Sequence, residues 1–280
     1  MEKTEPKMMH RTPPERIVLC MKWGTLFPAD YVNVLFRACR ANISGPFRFV
    51  CLTDDAKGLA PGIESMAIPD IGLRPEQWYT PGVWPKIALY LPDLGGLCGR
   101  ALFIDLDMAV VGRLDEFFDL PGDYNCLGVG PGWAPGAAPD ALRTVGTGVF
   151  AFDIGAQAQI ARAFMADRDG IIGRFRNEQD FVAASARGIA FWPREWVISF
   201  KRHLAHRFGL SLLLPVRRPP ATARIVAFHG EPRPAVLLKP EIWGRFPHIG
   251  RGPVGWLRDY WDRYAIAAAD ERSTSMQEAT

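Results

Sequence analysis

No apolar stretch in this 280-residue sequence approaches the roughly 20 residues of a membrane-spanning helix, which argues against a helical membrane protein. Charge of one sign is also scarce. A formal net charge of +3 with no basic run argues against nucleic acid as a partner, while small anionic molecules stay open. The opening segment MEKTEPKMMHRTPPERIVLCM has prolines and charges where a secretory leader needs an apolar core, so residues 1–15 read as a flexible tail. Cysteine is sparse and unpatterned. Cys20, Cys39, Cys51, Cys98 and Cys126 are odd in number and lack C-x-x-C spacing, and most lie in apolar segments. Buried, reduced thiols of a cytoplasmic protein are the expected reading. What remains, 48% hydrophobic and 22% charged residues, is the composition of a globular domain.

Along the chain, RIVLCMK (16–22) is a short continuous apolar run, as expected of a strand buried on both faces. After the loop WGTLFPAD, residues Val32, Leu35, Phe36 and Cys39 recur at helical spacing, with Asp30 a candidate N-cap. FRFVCLT (47–53) is a second strand, and the three segments make a β-α-β unit that implies a parallel sheet. A short helix KIALYL (86–91), the strand RALFIDL (100–106) and the strand GTGVFAFDI (146–154) follow. Helices are expected over 156–167 and 177–186, a strand over IVAFHG (225–230), and an amphipathic helix after Pro253. No internal repeat or linker is visible. The expected fold class is α/β, a single domain over 16–270 with a Rossmann-like mixed, mostly parallel sheet flanked by helices, then a tail over 271–280.

The chemistry concentrates in ALFIDLDMAVVGRLDEFF (101–118), where an apolar run carries Asp105 and Asp107. In a strand both carboxylates leave one face, and two like charges that close call for a cation between them. Three readings stand at this point. The pair holds a divalent ion that clamps a diphosphate; or the first aspartate is a phosphoryl nucleophile of the haloacid-dehalogenase type; or both are capping residues. Ala109 occupies the place where the phosphatase motif wants Thr or Val, and about a hundred residues precede it, against that reading. The apolar flanks put Asp105 at the carboxyl end of a buried strand, where open α/β sheets bind ligands.

The segment LFIDLDMAVVGRLDEFFDLP resembles the D-x-D region of GT-A fold glycosyltransferases, particularly family 8 and its bacterial relatives. WPKIALYLP is similar to the helix that carries a donor-binding lysine in that family, TGVFAFD to its N-[ST]-G-V strand, NEQD to its D-Q-D motif and VAFHGEPRP to its H-x-G-x-K-P segment. The matches keep the family's order from about residue 16 to 234. The resemblance implies a nucleotide-binding part over about 16–115 and a sugar and acceptor part over about 116–270. It makes Asp105, Asp107 and His229 the ligands of Mn2+ (or Mg2+), with Leu106 between the two acids and Gly230 beside the imidazole. Lys86 and Arg233, the latter where the family has lysine, would meet the diphosphate. Thr147 and Gly148 would run beside the donor sugar, although the family's opening asparagine is missing there. Gln179 and Asp180 would face the reacting carbon and the donor hydroxyls. Trp23, Gly24, Tyr31 and Asp54, at the ends of the first two strands, are candidates for the nucleotide pocket; a core position for Tyr31 and a turn role for Asp54 stay open. Lys201 would meet phosphate or acceptor.

The expected function is a metal-dependent, retaining transfer of a sugar from a nucleotide-diphosphate sugar, a UDP-sugar, to an unknown glycan or lipid-linked acceptor. The alternative is a non-catalytic nucleotide-sugar or carbohydrate-binding protein on the same fold. His203 and His206, at i, i+3 spacing, read as an exposed basic turn. The loop 128–140, rich in glycine and proline, is a candidate flexible cover that would keep water from the donor. Trp192, Trp196, Trp243 and Trp256 either stack on sugar or pack in the core. The C-terminal helix is a candidate for peripheral contact with the inner membrane surface, against the alternative of packing inside the protein.

Overall fold

The computed structural model describes residues 15–265; the expected tails, and the end of the C-terminal helix at 266–270, lie outside the described residues apart from Glu15. The strands are β1 (Arg16–Lys22), β2 (Arg48–Thr53), β3 (Glu64–Met66), β4 (Arg100–Ile104), β5 (Met108–Val110), β6 (Tyr124–Val129), β7 (Thr144–Asp153), β8 (Ile189–Phe191), β9 (Val197–Ser199), β10 (Ile225–Ala227), β11 (Ile242–Arg245) and β12 (His248–Arg251). The helices are α1 (Ala29–Asn42), α2 (Asp115–Asp119), α3 (Ala158–Ala166), α4 (Arg168–Arg174), α5 (Glu178–Ser185), α6 (Pro234–Leu237) and α7 (Gly255–Ala265).

Seven strands form the main sheet in the order β3-β2-β1-β4-β7-β6-β8, and within it only β7 runs against the common direction. The apolar runs of β1 and β4 are continuous because both faces are covered. Ile17, Leu19, Ala101 and Phe103 pack with α3, α5 and a 3-10 segment, Trp84–Tyr90, on one face; Val18, Cys20, Leu102 and Ile104 pack with α1 and α7 on the other. Each strand thus alternates between two cores. On the first face the rings of Phe103, Tyr90 and Tyr124 each stack on Phe150, and the two tyrosine hydroxyls bond at 2.7 Å.

Several expected boundaries move. β4 ends at Ile104, so Asp105–Asp107 form a turn rather than the end of the strand. β10 ends at Ala227, which leaves His229 on a loop. The segment after Pro85 is a 3-10 helix that follows Val83, a β-branched residue in left-handed conformation (φ +60°). Cys98 is exposed, while the other four cysteines are buried and free. The apolar face of α7 is covered in its described part: Trp256, Leu257 and Tyr260 are buried, Trp261 meets Tyr31 edge-on, and Arg37 donates to the Tyr264 carbonyl. That face is not available to a membrane.

A second, three-stranded sheet, β5-β10-β9, lies beyond the carboxyl end of β4. The Phe228 N–H donates to the Asp107 carbonyl at 3.1 Å, which fixes the chain carrying His229 against the aspartate turn. On the other side of the fold, buried Asp115 ties three elements together: it accepts from Arg16 (3.0 Å), the Ser44 N–H (2.9 Å) and Arg113 (3.1 Å). Burial works against its charge, but Ser44 and Arg113 outweigh it and hold the carboxyl below its ordinary range. A carboxyl lowered in the folded state stabilises the protein above its unfolded pKa, and that contribution is lost as pH falls through the folded value. Asp115→Ala should therefore cost about 1–3 kcal/mol at neutral pH. Urea unfolding of both proteins should show the difference shrinking in acid; an unchanged difference would show that the carboxylate charge plays no part.

Candidate active site

Beyond the carboxyl ends of β4 and β6, and beside the start of the antiparallel β7, lies a cavity of about 260 Å³. Of the residues expected there, Lys86, Asp105, Asp107, Thr147, Gly148, Gln179, His229 and Gly230 line it. Gly148 runs close to the site: a Cβ there would come within 2.5 Å of Met108 Cε, displacing that side chain, and 3.4 Å from Asp105 Oδ2. The turn at 105–107 points Leu106 into the core and leaves both acids facing the cavity.

Lys86 is the hub. Its buried ammonium donates to the Thr147 carbonyl at 2.7 Å, to both Asp105 oxygens at 3.0 and 3.1 Å, and lies 3.3 Å from Glu178. Glu178 is buried too, and accepts from the Thr147 hydroxyl at 2.7 Å. Burial disfavours the ammonium, but Asp105 and Glu178 more than offset this and raise it above its ordinary value. The acids are less well served. Burial pushes Glu178 and Asp105 up, with Lys86 offsetting only part of the effect. Asp107, half-buried beside Asp105, is pushed up to about 7 by desolvation and then by the Asp105 charge, and the more distant Lys86 and Arg233 and a backbone hydrogen bond ease it only in part. Two carboxylates therefore contact one ammonium and a third stands beside them, a local deficit of positive charge.

That deficit, with oxygen donors of the hard-cation type, is where a divalent ion fits. His229 does not complete the set as placed. Its Nε2 bonds to Ser199 Oγ at 2.8 Å and Trp133 packs on its ring at 5.2 Å, and no three His, Cys, Asp or Glu side chains converge as a metal-binding group among the described residues. Burial and then the cations Lys201 and Arg202 lower its pKa to about 4, so the ring is neutral at ordinary pH and can act as a donor to a metal.

Other expected residues stand elsewhere. Asp180 turns outward to Arg176 at 3.3 Å, because adjacent helical residues diverge and the i, i+4 arginine draws it to solvent; Glu178 and Gln179 face the cavity instead. Tyr31 is a core residue, flanked edge-on by Phe27 and Trp261, and its hydroxyl accepts from the Ala235 N–H at 3.0 Å. Asp54 accepts from the Gly24 N–H at 2.8 Å, and Trp23 donates to the Trp78 carbonyl, so these three close the loop after β1 outside the cavity. Arg233 lies over the Phe27 ring at 5.6 Å and 3.5 Å from Glu231, near enough to Asp107 to ease its charge. Lys201 opens on a neighbouring cavity with Glu231, Arg245 and His248. Trp192, Trp243 and Trp256 are buried and Trp196 is half-buried in the core. His203 accepts from the Ser199 N–H at 3.1 Å, and His206 bonds the Pro215 carbonyl. The segment 128–140 is a pinned wall rather than a free cover: Trp133 Nε1 donates to the Val197 carbonyl at 2.7 Å, and Arg194 donates to three carbonyls, those of Ala137, Ala138 and Pro139.

Glu178, Val83 and Ser199 were not foreseen. Glu178 was legible only as a helix-start acid, since its burial depends on Lys86 and Thr147, remote in sequence. Val83 carries no sequence signal at all; its left-handed backbone lines the cavity beside Gly82, whose carbonyl accepts from the Glu178 N–H at 2.8 Å.

No protein-family model matches the chain, and no curated protein matches it in sequence. Solved structures do match. The galactosyltransferase LgtC, in complex with donor and acceptor sugar analogues, superposes with a TM-score of 0.54 at 13% identity, over 90% of this chain and 95% of that one. The glycosyltransferase GlyE of Streptococcus pneumoniae TIGR4 gives 0.54 at 13% identity over 90% of this chain, and the bifunctional glycosyltransferase WbbM gives 0.55 at 12% over 93%. This chain spans 61% of GlyE and 50% of WbbM. It has the GT-A fold that these glycosyltransferases share, a mixed α/β sheet flanked by helices.

The hub makes a stability prediction. Lys86→Met leaves two carboxylates facing a buried gap and should cost about 3–5 kcal/mol in chemical denaturation. Adding Glu178→Leu should recover part of it, with a coupling of about 1–3 kcal/mol. Additive losses would show that the two side chains do not interact.

Proposed function

We propose that this protein is a glycosyltransferase that takes a sugar from a nucleotide-diphosphate donor, UDP-linked, with the help of a divalent ion, Mn2+ or Mg2+. The observation that carries the reading is the unbalanced acid pair, Asp105 and Asp107, in a cavity beyond the carboxyl end of β4. Asp105 and Asp107 would hold the ion, and the His229 imidazole would join them on leaving Ser199. When bound, such an ion supplies positive charge for the diphosphate leaving group.

The chain's own groups do the positioning. Lys86 favours the ionised form of Asp105 and aims it into the cavity, and its hydrogen bonds are already used within the protein, so it acts through Asp105 rather than as a free donor to phosphate. Arg233, at the rim, is the side chain left to meet a phosphate oxygen directly. Gln179 accepts from the Thr147 N–H at 3.3 Å and leaves its NH2 to a sugar oxygen. Gly148 gives the sugar room, and Trp133 and Met108 wall the cavity from water. A retaining outcome follows the family resemblance.

Donor turnover tests the proposal. Release of sugar from UDP-sugars should require Mn2+ or Mg2+, and Asp107→Asn should lower it about 100- to 1000-fold without lowering the melting temperature. UDP with Mn2+ should raise the melting temperature of the native protein. Metal-promoted UDP binding without any transfer or hydrolysis would overturn the enzyme reading in favour of a nucleotide-sugar-binding protein, and release of phosphate from simple monoesters would overturn it in favour of a phosphatase.

A further inference from the structure

Between Trp196 and Gly230 the sequence contains Lys201, Arg202, Arg207, Arg217, Arg218 and Arg224 and no acid, although the whole chain is nearly balanced at +3. The same interval holds the run Leu212-Leu213-Leu214, and the structure does not bury it. Leu213 is 83% exposed, with Leu210 and Leu214 each about half exposed. Phe208 is 66% exposed and meets Phe246, 71% exposed, at a ring separation of 6.0 Å. Exposed apolar residues scattered singly need no explanation, but a contiguous group rimmed by charge does.

The display is built. Overlapping turns from Arg207 to Leu214 (Leu210 N–H to the Arg207 carbonyl, Leu214 N–H to the Leu210 carbonyl at 2.8 Å) fold the segment into a tight knuckle. Buried Ser211 pegs that knuckle to the fold. Its hydroxyl accepts from the His206 N–H at 2.8 Å, it bridges to Gly250 of β12, and its carbonyl accepts from the Arg251 N–H. With the peg turned inward, the leucines on either side point out. The hairpin β11–β12 supplies Phe246 to this surface and has no acid between Ile242 and Arg251; Arg251 stands on the face that carries Ile249, and Arg245 on the opposite one. Arg207 lies over the Phe208 ring at 5.3 Å, Arg217 is exposed, and Arg218 is taken by Asp259 at 3.1 Å.

We infer that this knuckle, with Phe246, docks the protein on an anionic phospholipid bilayer. Leucine and phenylalanine side chains enter the acyl boundary while the arginines around them meet lipid phosphates, the combination that holds peripheral proteins at a membrane interface. Charge selects the occupant: the knuckle itself carries no acid, and Glu231, the acid that shares the Phe246 cavity, lies 3.5 Å from Arg233, so the basic excess of this surface suits a negatively charged lipid surface. The position also has a consequence. Lys201, which shares a cavity with Phe246, lies 3.7 Å from where a Cβ on Gly230 would stand, so the docking face adjoins the rim of the aspartate cavity. An acceptor held in the bilayer would be presented there. The inference rests on the surface and not on the transfer reaction, so each can fail alone.

Co-sedimentation of the full chain with vesicles tests it, using phosphatidylcholine alone or with a minority of phosphatidylglycerol. The protein should sediment with the anionic vesicles, and less so at high salt. Leu213→Ser with Leu214→Ser, and separately Arg207→Glu with Arg217→Glu, should each lower partition roughly tenfold or more, with melting temperature and donor turnover in solution unchanged. Either pair suffices if the other fails to fold. Absence of binding to anionic vesicles, or binding that neither pair weakens, would overturn the inference. So would concentration-dependent self-association abolished by the leucine pair, which would make a second copy the occupant.

Discussion

A buried ammonium shared among acids from distant parts of the chain is the interaction on which the rest depends. Lys86 comes from a 3-10 segment, Asp105 from the turn after β4, Thr147 from β7 and Glu178 from the first turn of α5, and all meet within 3.3 Å of one nitrogen. Burying one positive charge among several negative ones is costly unless hydrogen bonds are made in full. Here they are made in full for Lys86 and incompletely for the acids. The arrangement fixes where four elements meet and leaves a surplus of negative charge facing the cavity.

The fold converts that surplus into a site. Because β7 is antiparallel to its neighbours, Gly148 runs directly past the aspartate turn, and its carbonyl accepts from the Asp105 N–H at 2.9 Å. Because β10 pairs with β5 in the opposite direction, the loop after it returns His229 to the same cavity. Neither strand contributes chemistry beyond its ends. Their role is to bring the 105–107, 146–148, 177–179 and 229–230 segments to one place, at a sheet position where open α/β folds bind ligands.

How much of this was legible in the sequence follows from how local each signal is. Asp105 and Asp107 stood out because apolar runs on both sides left them no ordinary surface role, α1 was legible from its helical spacing, and β1 and β2 from short apolar runs. Asp180 was misjudged and Glu178 passed over because both belong to a helix start, and which residue turns inward is decided by Lys86 on one side and Arg176 on the other. Tyr31 was ambiguous in sequence and resolved by Trp261, which arrives from the far end of the chain. The loop 128–140 looked loose by composition, yet Trp133 and Arg194 pin it through contacts that composition cannot show. The leucine run at 212–214 carries no positional signal of its own; Ser211, turned inward as a peg, sets its neighbours facing out.

The claim at the centre of this account is that Asp105 and Asp107 together take up a divalent ion when a nucleoside diphosphate is present. Electron paramagnetic resonance of Mn2+ tests it without reference to turnover, since the free ion's signal falls as the ion binds. With UDP present, the native protein should remove the free signal at protein-equivalent Mn2+, and Asp107→Asn should remove far less. Equal removal by both proteins, beyond what UDP alone causes, or removal by neither, would contradict the account.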